Sequence, residues 1–139
     1  MKHELLTEKV IGMFYTVYND LGHGFLESIY QKAFTVVLRE QALNFQAQVP
    51  IQVFYRGVDL GEFFADLVVE STVLVELKAV AVLDRSHEKQ VLNYLKATNL
   101  EVGLLMNFGP RPQVRRFVLD NDLKLARSAA AGANSNPSP

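Results

Sequence analysis

Three charged residues stand where the surrounding pattern calls for apolar ones. In Val73-Leu74-Val75-Glu76-Leu77-Lys78-Ala79-Val80, a two-residue period puts Glu76 and Lys78 on one face and Val75 and Leu77 on the other. Asp66 interrupts Phe64-Ala65-Asp66-Leu67-Val68 in the same way. A charge within a covered strand is strongly unfavourable unless it is paired or ligates a metal. Glu70-Ser71-Thr72 separates the two runs and reads as a hairpin turn. Pairing about Ser71 sets Asp66 opposite Glu76, with Cβ atoms about 5 Å apart. Carboxylates that close repel, and burial adds to the penalty. Three resolutions are open: one acid keeps a proton, Lys78 neutralises one, or a divalent cation sits between them. Hard oxygen ligands with no His or Cys nearby favour Mg²⁺ or Mn²⁺ over zinc.

The rest of the chain has to position these residues. Leu6, Val10, Met13, Phe14, Val17 and Leu21 recur at helical spacing, and Gly22 and Gly24 end that helix. A second helix is expected from near Phe25 to about Gln41, with Leu26, Ile29, Ala33, Val37 and Leu38 as its apolar stripe. Alternation at Val49, Ile51 and Val53 predicts a strand that Pro50 confines to an edge or bulge. Arg56-Gly57 begins the next turn and Gly61 ends it. The runs Phe63–Val69 and Val73–Val82 read as central strands covered on both faces. Asp84 or Ser86 caps a third helix that reaches about Thr98. Val102–Phe108 is a buried strand, and Val114–Leu119 a final edge strand. The order is α-α-β-β-β-α-β-β, an α/β (α+β) mixed β-sheet flanked by helices. One domain is expected over residues 1–127, followed by a disordered C-terminal tail at 128–139.

Composition excludes several chemistries. With no Cys among 139 residues there are no disulfides, zinc-thiolate sites or thiol nucleophiles. No apolar run approaches a membrane span, and MKHELLTEKV lacks the apolar core of an export signal, so a cytoplasmic protein without membrane contact is expected. No Ser/His/Asp set is evident, nor a phosphate-binding glycine loop in the right context. The net charge of −1 argues against bulk-charge coating of nucleic acid. It averages an acidic first half with a basic second half, and the run from Arg111 to Arg127 is notably basic. That run is either solvated surface or, beside an acidic cluster, a surface for a polyanion.

Asp66, Glu76 and Lys78 resemble the signature of the PD-(D/E)XK nuclease superfamily. Gly24-Phe25-Leu26-Glu27-Ser28-Ile29-Tyr30 resembles the motif that names its GxxExxY branch. Ala65–Glu70, Val75–Lys78, Gln90–Lys96 and Gly103–Gly109 extend the similarity over about residues 5–119. Ala65 stands where the superfamily's name has Pro. The resemblance implies a restriction-endonuclease-like fold. It also implies a metal site of Glu27, Asp66, Glu76 and the Leu77 backbone carbonyl, with Lys78 serving catalysis. Gln90 and Tyr94, four residues apart on one helix face, are similar to a Gln-x-x-x-Tyr element that supports the site in RecB-like relatives. Tyr30 is expected beneath Glu27 and His87 at the helix start, whereas Asn107, after a buried strand, is not expected to face the site. The function implied is Mg²⁺- or Mn²⁺-dependent hydrolysis of DNA by metal-activated water, with a homodimer or partner protein helping to grip substrate. The competing readings are a non-catalytic nucleic-acid- or partner-binding module and a metal-free ion network.

Overall fold

The computed structural model describes residues 2–124. Two helices, α1 (Glu4–Leu21) and α2 (Glu27–Glu40), precede three strands, β1 (Phe45–Tyr55), β2 (Val58–Val69) and β3 (Val73–Lys78). Helix α3 (Arg85–Ala97) then crosses to β4 (Val102–Phe108) and β5 (Pro112–Val118), and a short 3₁₀ turn follows at Asn121–Leu123. The strands form one mixed sheet in the order β1-β2-β3-β4-β5. Only β3 and β4 run parallel, because α3 returns the chain to the starting edge between them. The order of elements is the expected one. The tail at 128–139 lies outside the described residues.

Helices pack on both faces of the sheet. Val10, Met13, Phe14 and Val17 of α1 and Tyr30, Phe34, Val37 and Leu38 of α2 meet Leu67, Val75, Leu77, Leu104 and Met106 on one face. On the other face Val91, Tyr94 and Leu95 of α3 meet Val68, Leu74 and Leu105. Strands β3 and β4 are covered on both sides, which explains their unbroken apolar sequences. Gly103 permits the close approach of α3, since a Cβ there would sit 2.7 Å from Val91 Cγ1.

Four boundaries or faces differ from expectation. The stripe of α2 starts at Tyr30, and Leu26 and Ile29 are exposed because α2 covers the sheet only from its second turn. Strand β2 begins at Val58, so Gly61 lies within it; its first half projects beyond both helix layers and is largely exposed. The β1–β2 turn is just Arg56-Gly57, both left-handed (φ 48° and 80°), the geometry of a two-residue hairpin loop. Strand β3 ends at Lys78 rather than Val82, because the side chain of Asn107 takes over the backbone of Val80.

The β1–β2 hairpin also changes faces. Ala47 pairs with Leu67 and Val49 with Ala65, which leaves Gln48 and Asp66 outside the ladder. Gln48 is left-handed (φ 52°). Residues two apart on a strand normally share a face, yet Leu67 packs on the α1/α2 side and Ala65 on the α3 side. The distal hairpin therefore turns toward α3 at the position of Asp66.

Candidate active site

The pairing expected about Ser71 is present: Val69 faces Val73, Val68 faces Leu74 and Leu67 faces Val75. The ladder stops there, and side chains continue it. The Asp66 N–H donates to Glu76 Oε1 at 2.9 Å, and the Leu77 N–H donates to Asp66 Oδ2 at 2.7 Å. Each carboxylate thus replaces a backbone carbonyl as acceptor for the opposite strand. This exchange holds the acids side by side where β2 and β3 separate. Glu76 is only 2% exposed.

Burial and proximity raise both acids. Burial pushes the Glu76 pKa well above its ordinary value, and the charge of Asp66 adds to the rise; the Asp66 amide and Lys78 oppose it. Burial also raises Asp66, against the Leu77 amide, the Lys78 charge and hydrogen bonds from Gln48 and Glu76. Both shifts favour the protonated form of one acid, and a cation placed between the two would oppose them.

Glu27 is the first residue of α2, where the helix N-terminus favours an acid. Part of it faces solvent, yet desolvation of its carboxyl raises its pKa; Lys78 opposes this, Asp66 reinforces it and the Ala79 N–H opposes it by hydrogen bonding. Among the described residues no three His, Asp or Glu side chains gather closely enough to cage an ion. Glu27 therefore feels the charges of the pair from a position outside it. Tyr30 sets where α2 begins: its hydroxyl donates to Gly22 O at 2.5 Å and accepts from Phe25 N–H at 3.2 Å. Its buried ring stacks on Phe108, 4.1 Å between centroids. It braces the loop before Glu27.

Lys78 is half-buried at the end of β3, opposite Asn107 of β4. Asn107 does not reach into the site. Its Oδ1 accepts from Val80 N–H at 2.9 Å, and its Nδ2 donates to Val80 O at 2.9 Å and to Gln113 Oε1 at 3.2 Å. One amide thereby imitates a ladder rung and fixes the chain just beyond Lys78. Gly109 closes over it, for a Cβ there would lie 2.5 Å from Val80 O.

The α3 side supplies Gln90 and Tyr94, joined by a hydrogen bond of 3.0 Å from Gln90 Nε2 to the Tyr94 hydroxyl. Burial raises the Tyr94 pKa, and the charges of Glu76 and Asp66 raise it further. His87 stays at the helix start. Its Nδ1 accepts from Asp84 N–H at 3.1 Å while Asp84 accepts from Ser86 and His87, a reciprocal cap.

Gln48 was not among the residues singled out by sequence. It bonds Gln31 of α2 at 2.9 Å and supports Asp66. A left-handed Gln leaves no recognisable signal in a strand sequence. The basic run does not form one surface. Arg115 pairs with Glu88, Arg116 donates to the Lys2 carbonyl, and the buried Lys124 ammonium donates to Thr98 O and Leu100 O. Arg115 and Arg116 are adjacent on β5 and so point to opposite faces; Arg127 lies outside the described residues.

The crystal structure of SSO0001 superposes with a TM-score of 0.54 at 19% identity over 80% of this chain, which spans 61% of that protein's length. A protein from Eubacterium rectale provisionally named an exonuclease gives a TM-score of 0.39 at 14% identity, over 88% of this chain and 57% of its own. Among curated proteins no sequence matches. The fold is restriction-endonuclease-like, and a family model matches residues 4–117: the chain belongs to the PD-(D/E)XK nuclease superfamily.

Proposed function

We propose that this chain is a divalent-metal-dependent nuclease of the GxxExxY branch, hydrolysing phosphodiester bonds of DNA. The observation that carries the reading is the reciprocal exchange between Asp66 and Glu76. It secures one oxygen of each acid on a backbone amide and holds the buried Glu76 beside the partly buried Asp66. A dication held by both acids would relieve the repulsion between them, so the donor set fits Mg²⁺ or Mn²⁺. Asp66, Glu76 and the Leu77 carbonyl would hold the ion, with Glu27 reaching in from α2. Bound there, the metal supplies Lewis-acid chemistry, acidifying water and offsetting charge on phosphate. Lys78 adds a cation and proton donors for the attacked phosphate or the attacking water. Gln90 and Tyr94 cover the acids from α3, and Asn107 and Gly109 keep Lys78 in place.

Thermal unfolding with Mn²⁺ tests the metal site without requiring turnover. At about 100 times its Kd the ion stabilises the fold by about 2.7 kcal/mol, and Asp66→Asn abolishes that gain. An unchanged Tm up to millimolar Mn²⁺ would sink the reading. Hydrolysis of single-stranded DNA, duplex DNA and RNA by wild type, Glu76→Gln and Lys78→Ala then tests catalysis. Binding of oligonucleotide with equal, negligible hydrolysis by all three proteins would identify the non-catalytic module instead.

A further inference from the structure

Phe63 is 49% exposed although its cross-strand partner Ile51 is fully buried. Its ring lies 6.0 Å from that of Tyr94, tilted by 44°. Tyr94 in turn belongs to the same buried cluster as Ala65, the residue before Asp66. Phe63 precedes Asp66 by three residues on β2, about 10 Å along the strand. The change of face at Gln48 and Asp66 is what directs this segment toward α3. A half-open aromatic ring thus stands on the α3 side of β2, three residues from Asp66, backed by a second ring whose hydroxyl is held by Gln90.

We propose that Phe63 is a stacking platform for an unpaired nucleobase next to the phosphate under attack, and that the substrate is single-stranded or has a frayed end. The inference deepens the nuclease reading and rests on it. A base within a duplex is already stacked on both sides and cannot present its face to Phe63; an unpaired base can.

The test compares kcat/KM in Mn²⁺ for wild type, Phe63→Leu and Phe63→Tyr. The substrates are a single-stranded oligonucleotide, the same strand carrying abasic residues, and its duplex. Leu keeps apolar contact with Tyr94 but has no ring face, and Tyr restores one. Phe63→Leu is expected to lose about tenfold on the intact single strand and little on the duplex, with Phe63→Tyr near wild type. Abasic residues should cost wild type about tenfold and Phe63→Leu nothing further. Equal losses on single strand and duplex, or an additive loss on the abasic strand, would overturn the platform while leaving the nuclease reading intact. Dissociation of a dimer by Phe63→Leu in sedimentation would also overturn it, marking the ring as a contact between copies. Failure of wild type to cleave any substrate removes the nuclease reading and the platform with it.

Discussion

Replacing Glu76 by Gln should stabilise the metal-free protein, by an amount that grows with pH. Gln keeps an oxygen to accept the Asp66 N–H at the position of Oε1. Its amide can also donate to Asp66, so the exchange survives and only the ionisable proton is lost. In wild type the Glu76 pKa is raised well above 4.5 by burial and by Asp66. The folded state then holds a proton that the unfolded state has released, so stability falls as pH rises between the ordinary and the raised value. Each pH unit in that window costs wild type about 1.4 kcal/mol that Glu76→Gln retains. Asp84 and Glu101, whose pKa values are lowered, give the opposite slope, but equally in both proteins, so the difference isolates the pair. Urea unfolding in chelator from pH 5 to pH 8 measures it. Excess Mn²⁺ should reverse the order, since wild type gains binding free energy that the variant lacks. A variant less stable than wild type at pH 8, by an amount constant with pH, would refute the account of a retained proton.

Asn107→Ala strips partners from both polar groups of Val80 and should cost about 2–4 kcal/mol; a loss under about 1 kcal/mol would mean that water replaces the amide. Tyr30→Phe removes the hydroxyl that braces Gly22 and Phe25, with an expected cost of about 1–3 kcal/mol. Faster amide exchange confined to the loop before Glu27 would confirm where that cost falls.

Local periodicity made much of the fold legible. The two-residue alternation around Glu76, with a turn at Ser71, was enough to bring Asp66 opposite it, because a hairpin's register follows from its turn. The helical repeat likewise marked the buried face of α1. Leu26 and Ile29 misled, since periodicity shows which residues share a face but not how far along a helix the sheet extends. Arg115 and Arg116 misled for a similar reason: a run of charge in sequence becomes two surfaces on a strand. Asn107 and Gln48 act through partners 27 and 17 residues away. Contacts of that range follow from packing of the whole sheet rather than from neighbouring residues.

Strand β1 is an open edge of the sheet, eleven residues long, and edges of that length invite another chain to add to them. Three interruptions lie within it: the left-handed Gln48, Pro50 with no N–H to offer, and the register shift between Val53 and Phe54. An incoming strand finds no stretch long enough to zip along. The kink that swings Phe63 toward Tyr94 is therefore also a guard against lateral polymerisation. Straightening β1 at Gln48 would lengthen the free edge as it dismantled the support of Asp66.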